Sequence, residues 1–456
     1  MNILTAQTDF TQGSIIKNLI TFSLPIVLGE LLQNLYNSVD ALVVGNLISE
    51  SALAAVMVSG TISNMVVNFF NGMSVGANVV VSVAFGRKDT ADIQSKIRIA
   101  LTFSVILGIV LSFIGILLTP RLLRLAGAQE EYYTQALTYL RIYLAGILFT
   151  VIYNNGAGVL RALGDSGTPF RILLLSCCSN IVLDFLFVGI LQIGVVGVGL
   201  ATIISQGISV ILVFRAISKN QGIYCLDIHE MLSRGKPTVQ AVLRVGISTG
   251  LQSALIGFSN IFIMRYVNIF NTAAVAGVGI AQRLDKFIVL PVKSFGITMT
   301  TFMSQNIGAG SYERIRKGKV KCLLLSLGVT SILCAIFYVF LRQSVAVFNS
   351  NPDVVETGID MLRVLLPFFW LMAVREIVLG ILRGYGKNFI PMLLGLTGMI
   401  GIRQLFLAIS MHYQPTIENI YVCYPISWFA TTMLLICYYM LVRRKFPGIG
   451  NTTDNF

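Results

Sequence analysis

ALTFSVILGIVLSFIGILL, Ala100–Leu118, contains no charged side chain over 19 residues. Crossing the hydrocarbon core of a bilayer takes about 20 apolar residues. Within that core a segment must satisfy its own backbone, which a helix does. Leu323–Leu341 reads the same way. The whole 456-residue chain agrees: 55% of it is hydrophobic and only 12% is charged, with a mean hydropathy of +0.80. Soluble domains carry about 25% charged residues. The fold class expected is therefore an all-α integral membrane protein. The polar start, Met1–Ser14, leads into a helix too long for the core of a cleavable signal, so none is expected.

Working outward, hydropathy and helix breakers predict 12 transmembrane helices, over 15–45, 51–84, 97–119, 132–160, 169–190, 194–216, 239–268, 273–307, 321–341, 355–382, 391–411 and 419–442. Charge sorts the loops. One side holds Arg87, Lys88, Lys96 and Arg98, then Arg161 and Arg171, the Arg215–Lys236 run, Arg314–Lys319, Arg383 and Lys387, and Arg443–Lys445; the other holds only Arg121, Arg124 and Arg342. The positive-inside rule predicts cytoplasmic loops and termini on the basic side of a multi-pass cell membrane protein. The net charge of +13 is then a matter of topology and lipid head groups, and no nucleic acid is expected as a partner. The domains expected are an N-terminal lobe over 1–217, a cytoplasmic linker over 218–238, and a C-terminal lobe with a basic tail over 239–456.

The two halves match at a fixed offset of 222 residues. Ser82 and Gly86 fall on Ser304 and Gly308, Arg141 on Arg363, Leu160, Arg161 and Gly164 on Leu382, Arg383 and Gly386, and Pro169 on Pro391. Six spans per half make this a parallel repeat. Duplicated lobes are a transporter architecture, with substrate handled between the repeats. A channel lacks support, since no selectivity-filter ring is visible. An enzyme lacks support too, since neither His-Glu-x-x-His nor Gly-x-Ser-x-Gly occurs. The only histidines are His229 and His412, and the seven cysteines show neither metal-ligand nor disulfide spacing. No structural metal and no cofactor are expected.

Ionisable groups inside spans are costly, so each is a functional candidate. Asp40, Asp184 and Thr202 fall at one depth, about 8–12 Å from the outer ends of helices 1, 5 and 6. Tyr36 and Asn180 precede the two aspartates by four residues and so share their helix faces. Two carboxylates, an amide and a hydroxyl at one level suit either a proton or a sodium ion, a hard cation with oxygen ligands. Their repeat positions are apolar or uncharged: Asp184 maps onto Phe406, Thr202 onto Tyr424, and Asp40 onto Phe262 and Ile263. Pro25 is expected to kink helix 1 as a static bend or as a hinge. The second half carries Arg283, Asp285, Lys286 and Lys293 on helix 8, Arg375 and Glu376 on helix 10, and Arg403 on helix 11. These are expected to be either substrate contacts or a buried ion-pair network. Tyr139, Tyr153, Asn154 and Phe149 are candidate lining for a flat cationic compound, with ordinary packing as the alternative.

Several ordered motifs then resemble a known family. They are Gly13-Ser14-Ile15-Ile16-Lys17, Phe22-Ser23-Leu24-Pro25, Leu35-Tyr36-Asn37-Ser38-Val39-Asp40, Met73-Ser74-Val75-Gly76-Ala77-Asn78, Ala84-Phe85-Gly86-Arg87, Leu160-Arg161-Ala162-Leu163-Gly164-Asp165, and Ser294-Phe295-Gly296 through Ser304-Gln305-Asn306-Ile307-Gly308-Ala309-Gly310. Over roughly 13–445 the chain looks like the multidrug and toxic compound extrusion (MATE) family of cation-coupled antiporters, on the prokaryotic side. The resemblance implies two six-helix lobes forming a V and export of small organic cations against inward H+ or Na+. It also implies a first-lobe cation-coupling site that matches Asp40, Asn180, Asp184 and Thr202 residue by residue. A functional monomer among membrane lipids is expected. Helix 7 departs from the family pattern, offering Arg265 and no carboxylate. With the basic stripe beyond it, this keeps open an alternative, a flippase or exporter of a lipid-linked or anionic substrate.

Overall fold

The computed structural model describes residues 7–223 and 225–445; the expected basic tail beyond Lys445 lies outside the described residues. The chain is an all-α membrane protein, with no strand among those residues. Its spans are α1 (Ile15–Leu47), α2 (Glu50–Arg87), α3 (Thr90–Leu125), α4 (Glu130–Ala145 and Ile147–Ala162), α5 (Gly167–Asp184, continued by Phe185–Ile190) and α6 (Val195–Gln221). The second half repeats them as α7 (Lys236–Val267), α8 (Thr272–Gly308), α9 (Tyr312–Val339), α10 (Pro352–Leu365 and Phe369–Gly384), α11 (Phe389–Leu396, Thr397–Ile402 and Arg403–Tyr413) and α12 (Ile417–Val442). Eleven helices among the described residues are each long and apolar enough to cross a membrane, and the two segments of α4, bent by 44°, supply a twelfth. Large apolar side chains such as Leu42, Phe113, Leu117, Val182, Ile211 and Leu324 are exposed, as a lipid-facing surface requires. Many serine and threonine hydroxyls inside the spans bond back to their own helices, as Ser104 does to the Ala100 carbonyl at 2.7 Å and Thr330 to that of Ser326 at 2.7 Å, and these are satisfied without water.

Several elements differ from the hydropathy reading, among them α9, which begins at Tyr312 rather than near 321. α3 begins at Thr90 rather than near 97, because Asp89 caps it by accepting from the Asp92 N–H at 3.0 Å. The linker holds a short helix, Ile228–Ser233, capped by Asp227. Glu230 on that helix accepts from Arg98 of α3 through both oxygens, at 2.7 and 3.3 Å.

The repeat is visible in the backbone as well as in the sequence. α4 breaks at Gly146 and α10 breaks over Leu366–Phe368, which are repeat-equivalent positions. Gly164 and Gly386 end the two helices with φ of +83° and +69°, in the left-handed region that favours glycine. A Cβ on Gly158 would lie 2.5 Å from the Ser74 carbonyl oxygen, and one on Gly380 would lie 2.7 Å from that of Gly296. Ser74 and Gly296 are themselves equivalent, so the same α2–α4 approach recurs between α8 and α10.

The chain packs as two compact units. One is Leu24–Gly250 with residues 7–9; the other is Phe10–Ser23 with residues 251–445. The second unit thus includes the first turns of α1, where Phe10 packs edge-on against Phe22 and Phe302. The first includes the opening half of α7, where Gly246 and Gly250 lie against α2. Buried apolar clusters fill each unit, around Leu101, Leu160 and Val213 in the first and Leu284, Leu362 and Phe369 in the second.

Candidate functional site

The first unit brings together Asp40, Asp184 and Thr202, expected at one depth, with Tyr36 and Asn180, expected on the same helix faces. With its NH2 turned to the carboxylates, Asn180 donates to Asp40 Oδ1 at 3.0 Å and to Asp184 Oδ2 at 3.1 Å, while its oxygen accepts from the Thr202 N–H at 3.3 Å. Asp40 lies within hydrogen-bonding reach of both Asp184 and Tyr36, and Tyr36 within reach of Thr202. The Thr202 hydroxyl donates to the Val198 carbonyl at 3.0 Å. Asp184 is 0% exposed and Asn180 1%. Among the described residues no lysine or arginine lies within 4.0 Å of either aspartate, and Asp184 Oδ1 is buried without a hydrogen-bond partner. Two buried carboxylates in contact, with no basic side chain to balance them, are costly to hold charged together.

Local structure positions these groups. Helical spacing puts Tyr36 over Asp40 on α1 and Asn180 over Asp184 on α5. Directly after Asp184 the helix widens into a π turn, Phe185–Ile190, a distortion often found at functional sites. Tyr139 on α4 is buried and lies in the electrostatic range of both aspartates. Tyr143, one turn on, stacks against it with ring centroids 6.4 Å apart and lies near Asp40. The sequence reading missed Tyr143; the available signal was its four-residue spacing from Tyr139. It also passed over Glu30, a second carboxylate inside α1, which lies near Arg161 and Tyr153.

Other expected residues take different places. Tyr153 donates to the Pro169 carbonyl at 3.2 Å, tying α4 to the start of α5. Asn154 bonds back to the Thr150 carbonyl of its own helix at 3.0 Å, and Phe149 lies on the same segment of α4. Pro25 is buried within α1, beside the point where the helix changes from one compact unit to the other.

The second unit holds the basic groups. Glu376 is buried between two arginines, 2.7 Å from Arg375 Nη2 and 3.6 Å from Arg383 Nη1. Arg403 is 1% exposed; its guanidinium donates to Ser427 Oγ at 3.0 and 2.8 Å and stacks over the Tyr424 ring at 4.8 Å. Asp285 is half-buried, while Arg283, Lys286 and Lys293 are exposed. Among the described residues, no group of three or more His, Cys, Asp or Glu side chains is placed to hold a metal ion.

A protein-family model described as MatE matches residues 25–186 and 249–409. "Probable multidrug resistance protein YpnP" of Bacillus subtilis is 32% identical over 407 residues, covering 88% of this chain and 89% of that protein. "Probable multidrug resistance protein YoeA" of the same organism is 26% identical over 442 residues, covering 95% and 96%. A solved structure described as the "Outward-facing conformation of a multidrug resistance MATE family transporter of the MOP superfamily" superposes with a TM-score of 0.87 at 22% identity, covering 96% of this chain and 98% of that one.

Proposed function

Because this chain belongs to the MatE family of multidrug resistance transporters and is a membrane transporter rather than an enzyme, we propose that it exports organic cations across the cell membrane in exchange for inward H+ or Na+. The observation that carries this reading is the cluster of Asp40, Asn180 and Asp184, two aspartates joined through one amide with no basic partner and a buried oxygen left unbonded. The coupling ion neutralises the pair. Tyr36 and Thr202 hold the carboxylates in place, and Tyr139 closes the cluster from α4. Uptake of the ion changes the charge on α1 and α5. That change drives transport only through different affinities for ion and drug in the two access states. Pro25 removes one backbone hydrogen bond from α1, which makes the helix easiest to bend at that point, between Asp40 and the turns that pack with the second unit. Both termini lie in the cytoplasm, and the monomer is the working unit.

The test uses protein reconstituted in liposomes that are loaded with a fluorescent organic cation, with a pH gradient and a sodium gradient imposed in separate runs. Wild type moves the dye under one gradient, and that gradient names the ion; Asp40→Asn and Asp184→Asn lose the response. Full coupled transport in both variants would sink the reading.

A further inference from the structure

The groove between α5 and α6 and its repeat equivalent between α11 and α12 carry opposite charge. Thr202 and Ser205 on α6 correspond to Tyr424 and Ser427 on α12, and Ile181, next to Asn180, corresponds to Arg403. In the first unit Asn180 reaches across to the backbone of Thr202. In the second, Arg403 reaches across to Ser427 and Tyr424. A π turn adjoins the charged residue in both cases, Phe185–Ile190 after Asp184 and Thr397–Ile402 before Arg403. One groove is thus built around carboxylates and the other around a guanidinium.

The basic groove is short of negative charge. Asp285 lies in the electrostatic range of Lys286, Lys293 and Arg403, yet among the described residues none of the four is in an ion pair. Three cations face one carboxylate. Glu376 lies in the electrostatic range of Lys293 as well, but Arg375 and Arg383 already share it, so the cations still outnumber the carboxylates. A buried guanidinium without a counter-charge is costly. Lys286 and Lys293 are exposed and lie about 20 Å inside the nearer end of α8 at 1.5 Å per residue, where a lysine faces water rather than lipid. Tyr424 accepts from Gln282 at 2.9 Å, which leaves its own O–H free to donate.

We propose that the α8, α11 and α12 face of the second unit is an anion-binding subsite, in which Lys293, Arg403 and the Tyr424 hydroxyl take a carboxylate or phosphate group of the exported compound. Asp285 is the internal counter-ion that this group displaces. The inference rests on the exporter reading only for the word exported. The compound then carries an acidic group beside any basic one.

Trp428 packs against Tyr424 with ring centroids 6.2 Å apart and reports on the subsite. In nanodiscs of phosphatidylcholine, the full chain carrying Trp370→Phe is titrated with phenyl phosphate, benzoate and benzyltrimethylammonium while Trp428 emission is followed. The two anions change the emission saturably and the cation does not. Lys293→Gln, at an exposed position that leaves the packing intact, weakens anion binding by about tenfold or more, and Asp285→Asn strengthens it. Repeating the titration with phosphatidylglycerol present distinguishes the source of the group. Weaker phenyl phosphate binding there means that a lipid head group occupies the subsite, and unchanged binding means a soluble compound. An emission change equal for cation and anion, or anion binding unmoved by both variants, would overturn the proposal. Since no transport is measured, these results stand apart from the gradient experiment above.

Discussion

Glu376→Gln and Asp184→Asn each neutralise one buried carboxylate, and they are expected to affect stability in opposite ways. Glu376 lies between Arg375 and Arg383 at 2.7 and 3.6 Å, with all three side chains under 10% exposed. Its neutralisation leaves two buried guanidinium groups without a counter-charge, and breaking a buried pair in this way costs about 3–5 kcal/mol. At roughly 2–4 °C per kcal/mol for a unit of about 200 residues, melting falls by about 10 °C. Asp184 has no such partner. It touches Asp40 and Asn180, so neutralising it relieves a like-charge contact and leaves no orphaned cation, and melting moves by no more than about 2 °C or rises. Function follows the reverse order: Asp184→Asn abolishes ion-coupled dye movement, whereas Glu376→Gln, assayed below its melting point, retains it. Thermal unfolding of nanodisc samples followed by tryptophan emission, paired with the liposome assay, reads both quantities. If Asp184→Asn melts as early as Glu376→Gln, the aspartate pair is part of the scaffold and the coupling reasoning is wrong.

Two further outcomes follow from the packing. Gly158→Ala and Gly380→Ala drive a methyl into a backbone oxygen at 2.5 and 2.7 Å and each cost about 1–3 kcal/mol, whereas Gly207→Ala, with nothing within 4 Å, stabilises α6 by about 0.5–1 kcal/mol; the same melting assay ranks them. The hydrogen bond from Arg98 holds the Glu230 carboxyl below the usual glutamate range. Docking of the linker helix on α3 therefore persists at neutral pH and is lost only as acid protonates Glu230, below the pH of about 4 at which a free glutamate titrates. Amide hydrogen exchange over 227–235 shows that loss at low pH in wild type and at neutral pH in Glu230→Gln.

The spans were legible because each is a local property: Ala100–Leu118 announces itself without reference to any other residue. The repeat was legible because one offset holds from Ser82 to Pro169. Depth alone placed Asp40 and Asp184 at a common level, since rise per residue converts sequence position into height. Which side chains then meet at that level was not legible, because contact between α1 and α5 depends on helix rotation and tilt. Tyr143 and Glu30 were missed for this reason. The π turns at Phe185–Ile190 and Thr397–Ile402 contain glycines, but isolated glycines are common inside membrane helices and do not mark a π turn. The assignment of Phe10–Ser23 to the second unit was equally hidden, since Phe302 and Gln305, which Phe10 meets, lie nearly 300 residues away.

The repeat also separates scaffold from chemistry. Features present in both halves are structural: the glycines that end α4 and α10, the close approach at Gly158 and Gly380, and the breaks in mid-helix. Features present in one half cannot be required by an architecture that the other half builds without them. Asp40, Asn180, Asp184 and Thr202 have no acidic or amide equivalent in the second half, and Arg403 has no basic equivalent in the first. At repeat-equivalent depth the second unit places Phe406 and Tyr424 where the first places Asp184 and Thr202, so it offers no second seat for the same cation. The proposed coupling site therefore has a single seat per chain, in the first unit. The second unit, with its polarity inverted, carries the proposed subsite for a ligand of the other sign.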